Sequence, residues 1–407
     1  MKIAVLGYGT VGSGVVELIN MNKGEVDSNS GTSVDIKYIL DIRDFNDSPY
    51  ANLFTKDFNV ILNDKEVDVV VEVIGGLEPA YSFVSKSLAA GKSVVTSNKE
   101  LVSVYGDKLL SLAKQNNVNF LFEASVGGGI PIIRPLSQCL TANKIKSIAG
   151  ILNGTTNFIL TKMINEGQSF DDALKTAQQL GYAEADPTAD VEGIDTCRKI
   201  AILASLAFGK HIDPNKISTQ GITHVSLEDM MRADKLGYSI KLLGLCKKEE
   251  NGELYIMVAP FFVGKDNPIS GVSDVFNAIL VEGNAVGVSM FYGRGAGKLP
   301  TASAVVADVI DCAKHQKQRK DIFWESSDAD CLNDCDSMSC KRYVRFCDFI
   351  DTNELQKIFN DTQIFSDGNC VEMITSENDQ KTFDYKIEKV YNVLGVKPDS
   401  VYKIFNV

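Results

Sequence analysis

Lys2–Leu6 is a short apolar run that leads without interruption into Gly7-Tyr8-Gly9-Thr10-Val11-Gly12, then Ser13-Gly14 and the apolar stretch Val15–Ile19. Few folds accommodate a buried strand, a glycine turn and a helix in immediate succession. The spacing G-x-G-x-x-G in that setting predicts a parallel βαβ unit that binds a dinucleotide. The first glycine permits the tight turn, the second lets a pyrophosphate approach the backbone, and the third lets helix pack on strand. Gly7, Tyr8, Gly9, Thr10, Val11, Gly12 and Gly14 are therefore the expected cofactor loop.

The next predicted strand, Asp35–Leu40, ends in Asp41, with Arg43 just beyond. An acid at that strand tip would bond the ribose hydroxyls of NAD, whereas Arg43 could hold the additional phosphate of NADP, so both cofactors stay open. Further strands are predicted at 67–74, 93–96 and 119–123, with helices at 80–90 and 106–115 between them, the alternation of a doubly wound sheet. Gly75-Gly76 is either an ordinary turn or a place where a nicotinamide lies against bare backbone, and Thr96-Ser97-Asn98-Lys99 would set an amine beside the same crevice. After Glu123 the run ASVGGGIPIIRPL turns the chain sharply, which puts a domain boundary near Gly129. A helix at 132–140, a strand at 145–152 and a helix after Asn153 follow. Asn153, Thr155 and Thr156 read as capping residues, or as a turn whose amides bind a substrate carboxylate.

Composition narrows the classes of partner. A chain of 407 residues exceeds what one core usually holds and predicts two or three domains. No apolar run approaches the roughly 20 residues of a membrane helix, and MKIAVLGYG lacks a charged start and a cleavage site, so a cytoplasmic location without membrane association is expected. The net charge of -12 argues against nucleic acid or an anionic membrane as partner, with the basic KHQKQRK at 314–320 read as a solvated helix end. The cysteines are expected to be reduced thiols: Cys331, Cys335, Cys340 and Cys347 lie close together but lack the paired knuckle of structural zinc. His211, His224 and His315 are too few to suggest a histidine-based triad or metal centre.

The densest chemistry lies where Glu184, Asp186, Asp190, Glu192 and Asp195 precede Arg198 and Lys199. A helix over 171–180 is ended by Gly181, Asp186-Pro187 forms a turn, and a new helix begins after Gly193 with Ile200, Leu203, Ala204 and Ala207 on one face. Asp195 and Lys199 stand four apart on it and project together. As an exposed ion pair they would contribute only about 0.3–0.5 kcal/mol. Alternatively the acids bind a substrate ammonium while Lys199, partly desolvated and held by Asp195, exchanges a proton with a carbonyl or hydroxyl oxygen.

GILNGTTNFIL at 150–160, GYAEADPTADVEGIDTCRKIAILA at 181–204 and GRGAGKLPTASAVVAD at 293–308, together with GYGTVGSG and TSNK, resemble the homoserine dehydrogenase family over most of residues 1–315. The resemblance implies reversible hydride transfer between NAD or NADP and the pair L-homoserine and L-aspartate 4-semialdehyde, in the threonine and methionine branch of the aspartate pathway. By motif position it implies Lys199 as proton donor and Lys99 as the lysine that contacts cofactor and helps polarise the reacting oxygen. Glu184 resembles the acid on the substrate amine, Asp190 and Asp195 line the same pocket, and Tyr182, Asn153 and Thr155 count among the substrate contacts. Gly297 would approach the nicotinamide, joining Asp41, Arg43, Gly75, Gly76, Thr96 and Lys99 as cofactor positions. A monovalent cation, usually sodium, is implied at Glu123, Val126, Gly128 and Ile130. The residue types suit the reaction, because hydride delivered to an aldehyde leaves an alkoxide that a lysine ammonium stabilises and protonates. Aspartate-semialdehyde dehydrogenase, the alternative enzyme, needs a histidine-activated thiolate, and Cys197 has no histidine placed to serve it. Intact Lys99, Glu184 and Lys199 argue against a nucleotide-binding regulator.

The whole reads as an α/β chain. An N-terminal Rossmann-type dinucleotide-binding domain spans 1–129 with a return helix at 301–315, and an α+β substrate-binding and dimerisation domain spans 130–300. A linker at 316–340 leads to a small C-terminal ferredoxin-like module at 341–407. The runs LYIMVAPFFV, DVFNAILVEG and AVGVSMFYG supply an apolar mixed sheet of a kind that pairs with a symmetric copy, so a homodimer or higher homo-oligomer is expected. The β-α-β-β-α-β order of the tail resembles a ligand-sensing ACT module, although Asp351-Thr352-Asn353 stands where Pro-Gly usually precedes the first helix. Threonine sensing and a structural or dimerising role both stay open.

Overall fold

The computed structural model describes residues 1–316, 318–326, 332–348, 350–367 and 370–406. By its internal contacts the chain forms two units, each discontinuous in sequence: Met1–Ile148, Arg198–Lys216 and Phe276–Cys331 compose the first, and Ala149–Cys197, Ile217–Val275 and Leu332–Val407 the second. The predicted boundary near Gly129 falls inside the first unit, and Cys331 of the cysteine cluster and Lys317 of the basic tract lie outside the described residues.

The first unit opens with β1 (Lys2–Leu6), α1 (Thr10–Met21), α2 (Lys23–Ser30), β2 (Asp35–Leu40), β3 (Phe54–Thr55), α3 (Phe58–Asn63) and β4 (Val67–Glu72). It continues through α4 (Ala80–Ala89), β5 (Ser93–Thr96), α5 (Lys99–Gln115) and β6 (Phe120–Leu121). The strands stand in the order β3-β2-β1-β4-β5-β6, every neighbour parallel. This is the doubly wound sheet the alternating pattern predicts, with the order reversing at β1 and β4. Both strands are buried almost throughout, as in a sheet covered on both faces.

Several elements depart from the sequence reading: α5 begins at Lys99 and not at 106, β4 ends at Glu72 and not at 74, and the two segments around Glu123 differ more. β6 stops two residues short of Glu123 because Glu123 already opens a 3-10 turn and gives its carboxylate to the amides of Ile132, Ile133 and Arg134. The helix predicted at 132–140 is mostly a single π-turn, Pro135–Cys139, closed by the Leu140 amide on the Pro135 carbonyl at 2.8 Å. Pro135 has no N–H to join an α-helical ladder.

β7 (Ile145–Ile151) then carries the chain into the second unit, where α6 (Gly154–Glu166), α7 (Phe170–Gln179) and α8 (Thr188–Val191) follow. α9 (Ile194–Phe208) leads back to the first unit. β8 (Ser218–Thr219), α10 (Leu227–Lys235), β9 (Tyr238–Lys248) and β10 (Leu254–Gly264) belong to the second. β11 (Phe276–Gly283) and β12 (Gly287–Arg294) make an antiparallel hairpin in the first unit, and α11 (Lys298–Lys314) returns to lie along α1. A Cβ at Gly14 would lie 2.7 Å from the Lys298 carbonyl oxygen, so a bare position there sets the approach of the two helices.

The tail runs through β13 (Arg342–Phe346), α12 (Thr352–Ile358), β14 (Gln363–Asp367), β15 (Cys370–Ile374), α13 (Gln380–Leu394) and β16 (Ser400–Phe405). Its strands take the ferredoxin-like order β16-β13-β15-β14. Val344, Phe346, Leu355, Phe359, Met373 and Phe383 fill the core under the two helices. β16 also pairs parallel with β10, so the tail extends a larger sheet.

One buried carboxylate fastens the tail to α10. Asp229 accepts from Arg345 at 2.9 Å, Ser400 at 2.7 Å and Tyr402 at 3.1 Å. Taking that carboxylate away leaves the buried Arg345 guanidinium with the exposed Glu228 as its acidic partner among the described residues, and breaking a buried pair costs about 3–5 kcal/mol. Asp229→Ala is expected to lower the unfolding free energy by about 3 kcal/mol, read as a lower urea midpoint. An unchanged midpoint would contradict this account of the tail.

Candidate active site

In the first unit the chain leaves β1 at Gly7 with φ of 100°, a region that side chains rarely adopt, and the Gly7 amide donates to the Leu40 carbonyl at 2.7 Å. A Cβ at Gly7 would lie 3.0 Å from the Val73 carbonyl oxygen, and one at Gly12 would collide with the carbonyl of Gly7 itself. The loop closes only if both are bare. Gly9 has nothing within 4 Å of its Cβ position and is exposed at the start of α1, beside exposed Thr10. That is the face open to a pyrophosphate. Tyr8 and Val11 are half-buried next to it. Gly14 departs from the sequence reading: it is buried against α11 and serves helix packing.

At the tip of β2 the Asp41 carboxylate accepts the Tyr8 amide at 2.8 Å and a two-pronged grip from Arg43 at 3.0 and 2.9 Å. The Arg43 guanidinium, helped by the Arg43 and Tyr8 amides, holds the Asp41 carboxyl down to about 2. The two residues that signal different cofactors in the sequence therefore satisfy each other here.

The rim beyond β4 rests on a residue the sequence reading passed over. Glu72, fully buried, accepts the Thr96 hydroxyl at 2.5 Å and the Ile74 amide at 2.8 Å, and burial raises its carboxyl. Thr96 is accordingly turned inward, its hydroxyl shared between Glu72 and the Asn98 amide. Asn98 caps α5 through the Leu101 amide and donates to the Gly76 carbonyl at 2.7 Å. Gly75 and Gly76 are exposed with φ of 86° and 69° and open space around them. Lys99 begins α5 directly after this cap.

Glu100, next to Lys99, pairs with Arg198 at 2.8 Å and draws the first turn of α5 against the part of α9 that belongs to this unit. Lys199 adjoins Arg198 and is only 8 % exposed, while Asp195, one turn earlier on α9, is 3 % exposed. A solvated surface pair is not what these two residues form.

In the second unit Asn153 does cap α6, accepting the Thr156 amide at 2.9 Å, and its amide nitrogen gathers Asp190 at 2.7 Å and Asp195 at 2.9 Å. The Thr155 hydroxyl donates to the Tyr182 carbonyl at 2.7 Å and fixes the turn on which Tyr182 and Glu184 are exposed. Among the described residues the Glu184 carboxylate receives no hydrogen bond. The same acidic stretch thus holds buried, half-buried and solvent-facing carboxylates.

Around Glu123 in the first unit, the Glu123 amide donates to Asp308 at 2.8 Å, Arg134 pairs with Asp308 and Asp311, and Lys320 pairs with Asp311 at 2.6 Å. Burial pushes the Asp308 carboxyl up to about 7 against the pull of Arg134. Val126, Gly128 and Ile130 are buried, and their carbonyl oxygens receive no hydrogen bond among the described residues. A Cβ at Gly128 would collide with the Gly295 carbonyl, so this turn lies against the segment leading to Gly297, whose φ of 131° puts it in glycine territory at the start of α11.

Residues 7–123 match the family model described as homoserine dehydrogenase, NAD binding domain, and residues 131–310 the one described as homoserine dehydrogenase. The chain is 47% identical over 318 residues to a homoserine dehydrogenase of Synechocystis sp., covering 76% of this chain and 73% of that one. To one of Bacillus subtilis it is 44% identical over 322 residues, covering 78% and 74%. A solved homoserine dehydrogenase from Thiobacillus denitrificans is similar with a TM-score of 0.92 and 36% identity over 100% of this chain and 98% of the other, tail included. A hyperthermophilic archaeal homoserine dehydrogenase mutant in complex with NADPH gives 0.64 and 30% over 76% and 96%.

Since Gly12 cannot carry a side chain without opening the loop, Gly12→Ala is expected to weaken dinucleotide binding at least about tenfold, ~1.4 kcal/mol, in a fluorescence titration. Equal affinity in a folded variant would show that the loop is not the binding face.

Proposed function

Because the chain belongs to the homoserine dehydrogenase family, we propose that it interconverts L-homoserine and L-aspartate 4-semialdehyde with NAD or NADP, and that Lys199 and Lys99 handle the reacting oxygen. The observation that carries the residue roles is the Glu100–Arg198 bridge, which brings together the turns bearing the two lysines. A bound nicotinamide dinucleotide supplies the hydride in one direction and receives it in the other. The task left to the chain is the proton. An alkoxide forming on the aldehyde oxygen is stabilised and protonated by the Lys199 ammonium, and in oxidation the neutral amine takes that proton back. Burial of Lys199 keeps bulk water from competing for the transfer. Lys99 adds positive charge at the start of α5, where the helix dipole has the same sign.

Among the acids, Glu184 is assigned to the substrate ammonium, because its carboxylate is exposed and makes no hydrogen bond among the described residues. Asp190 and Asp195, both held by Asn153, order the start of α9. Tyr182 and Thr155 shape the turn that presents Glu184.

A monovalent cation fits the loop at Val126–Ile130. Three buried residues there have carbonyls that receive no hydrogen bond among the described residues, and the buried Glu123 carboxylate precedes them. Glu123 would contribute mainly charge, since three of its lone pairs already take amides. A homodimer is supported by β12, which among the described residues pairs with β11 alone and exposes Val288, Met290 and Tyr292 at alternate positions, a row suited to a second copy. Among the described residues no helix is long and apolar enough to cross a membrane. For the tail we favour a structural role, because Asp351 caps α12 with its carboxylate in place of a Pro-Gly turn and β16 is built onto β10.

Oxidation of L-homoserine with NAD and with NADP, in the absence of phosphate, is the deciding assay; absorbance of reduced cofactor should rise with at least one, and silence with both would sink the reading. Lys199→Ala is expected to keep cofactor affinity and lose about 10²–10⁴-fold in turnover. Near-normal turnover would remove that residue from the role. Replacing sodium with tetramethylammonium at constant ionic strength should lower the melting temperature, with about 1.4 kcal/mol at stake when sodium stands near ten times its dissociation constant. An unchanged melting temperature would leave the loop without an ion.

A further inference from the structure

We propose that Cys347 and Cys370 in the tail are a redox-active pair, a modification site at which a low-molecular-weight disulfide closes a cross-strand bond. β13 and β15 run antiparallel with Arg345 opposite Glu372 and Phe346 opposite Val371, so the next position in register sets Cys347 opposite Cys370. Their Sγ atoms lie 2.9 Å apart, and both are free thiols. Directly opposed residues of an antiparallel pair have Cα atoms about 4.5–5.5 Å apart, within the range a disulfide spans. The two positions differ in reach: Cys347 is half-buried with the Arg345 guanidinium 2.8 Å from its sulfur, whereas Cys370 is buried. Cys347 is therefore the attacking sulfur and Cys370 the resolving one.

A carboxylate oxygen of Glu228 on α10 comes within 4.8 Å of both sulfurs, which raises a metal site as the competing use. Arg232 and Arg345 pair with Glu228 at 3.0 and 3.2 Å, and two guanidiniums at the carboxylate oppose a dication. Oxidation adds no charge and suits the surroundings better.

The exchange balances in two steps. Cys347 thiolate attacks one sulfur of R–S–S–R, the reagent's S–S bond breaks, and the first RS⁻ leaves. Cys370 thiolate then attacks the Cys347 sulfur and displaces the second RS⁻. The two cysteines lose two electrons, and their two protons convert the released thiolates to two RSH. Burial first, then the Cys370 thiol and Asp399, hold the Cys347 thiol up to about 12 against the pull of Arg345, with Glu228 and its partner Arg232 also beside the pair. Exchange is accordingly slow at neutral pH and quickens as pH rises.

The full chain is incubated with oxidised glutathione at about pH 8.5, blocked with iodoacetamide and digested without reductant. The expected product is one peptide pair joined through Cys347 and Cys370, lighter by two hydrogens than the reduced pair and released by dithiothreitol. It should form roughly tenfold faster per pH unit between about pH 7 and 9 and be absent from Cys347→Ser and Cys370→Ser. Exposed Cys139 reports that the reagent has acted. Modification of Cys139 with both other thiols fully alkylated would overturn the proposal, as would a lasting glutathione adduct at Cys347. Protection of both thiols from alkylation by zinc alone would overturn it in favour of a metal site.

Discussion

A carboxylate in a protein interior has to be matched donor for donor, and the one at Glu123 determines how the first unit holds together. It takes the amides of Ile132, Ile133 and Arg134, while its own amide is held by Asp308 on α11. Each charge-assisted bond of this kind contributes about 1.5–3 kcal/mol, and the group left unmatched would cost more than any one of them gives. The consequences are geometric. The end of β6, the triple-glycine turn and the return helix are tied to one point, and three successive amides cannot also enter an α-helical ladder. The Val126–Ile130 turn then lies close against the segment before Gly297, so that Gly128 has no room for a side chain beside the Gly295 carbonyl.

What was legible in the sequence is what depends on neighbours in the chain. The glycine loop, the parallel strands, α11 and the β-α-β-β-α-β tail follow from local periodicity and from glycines whose spacing has one geometric use. What was not legible depends on partners far away. The Glu100–Arg198 bridge joins charges 98 positions apart, and nothing near either marks it. Glu72 lies unmarked inside the predicted strand at 67–74 and proves to be the post on which Thr96 and the Gly75 turn lean. Gly14 was legible as a bare position but not as one facing α11, because spacing tells which residues lack a side chain and not which neighbour needs the room.

The acidic stretch before Lys199 shows the same limit in another form. Counted along the chain, its carboxylates form one cluster; in the structure they are sorted by depth. Glu184, Asp186 and Glu192 face solvent, Asp190 is half-buried and Asp195 is enclosed. One neutral side chain does much of the sorting, since the Asn153 amide carries two donors and can satisfy two carboxylates while its oxygen still caps α6. An aspartate there could cap the helix equally well but would repel both acids. That is why a cap of this identity, unremarkable in sequence, belongs with the chemistry.

The same reasoning bears on cofactor choice at Asp41 and Arg43. Their contact is two-pronged, yet the Arg43 side chain is 57% exposed, and ion pairs that open to water contribute about 0–1 kcal/mol. Lifting Arg43 away to meet a phosphate therefore costs little. Asp41 is not free in the same sense, because its carboxylate also holds the Tyr8 amide and so fixes the path of the glycine loop. A ribose hydroxyl can share that carboxylate, but only by displacing Arg43 and not the amide. Arg43 is then the movable element and Asp41 the fixed one: under the proposed function discrimination between the two dinucleotides would rest with the arginine, while loss of the aspartate would release the Tyr8 amide and disturb the glycine loop.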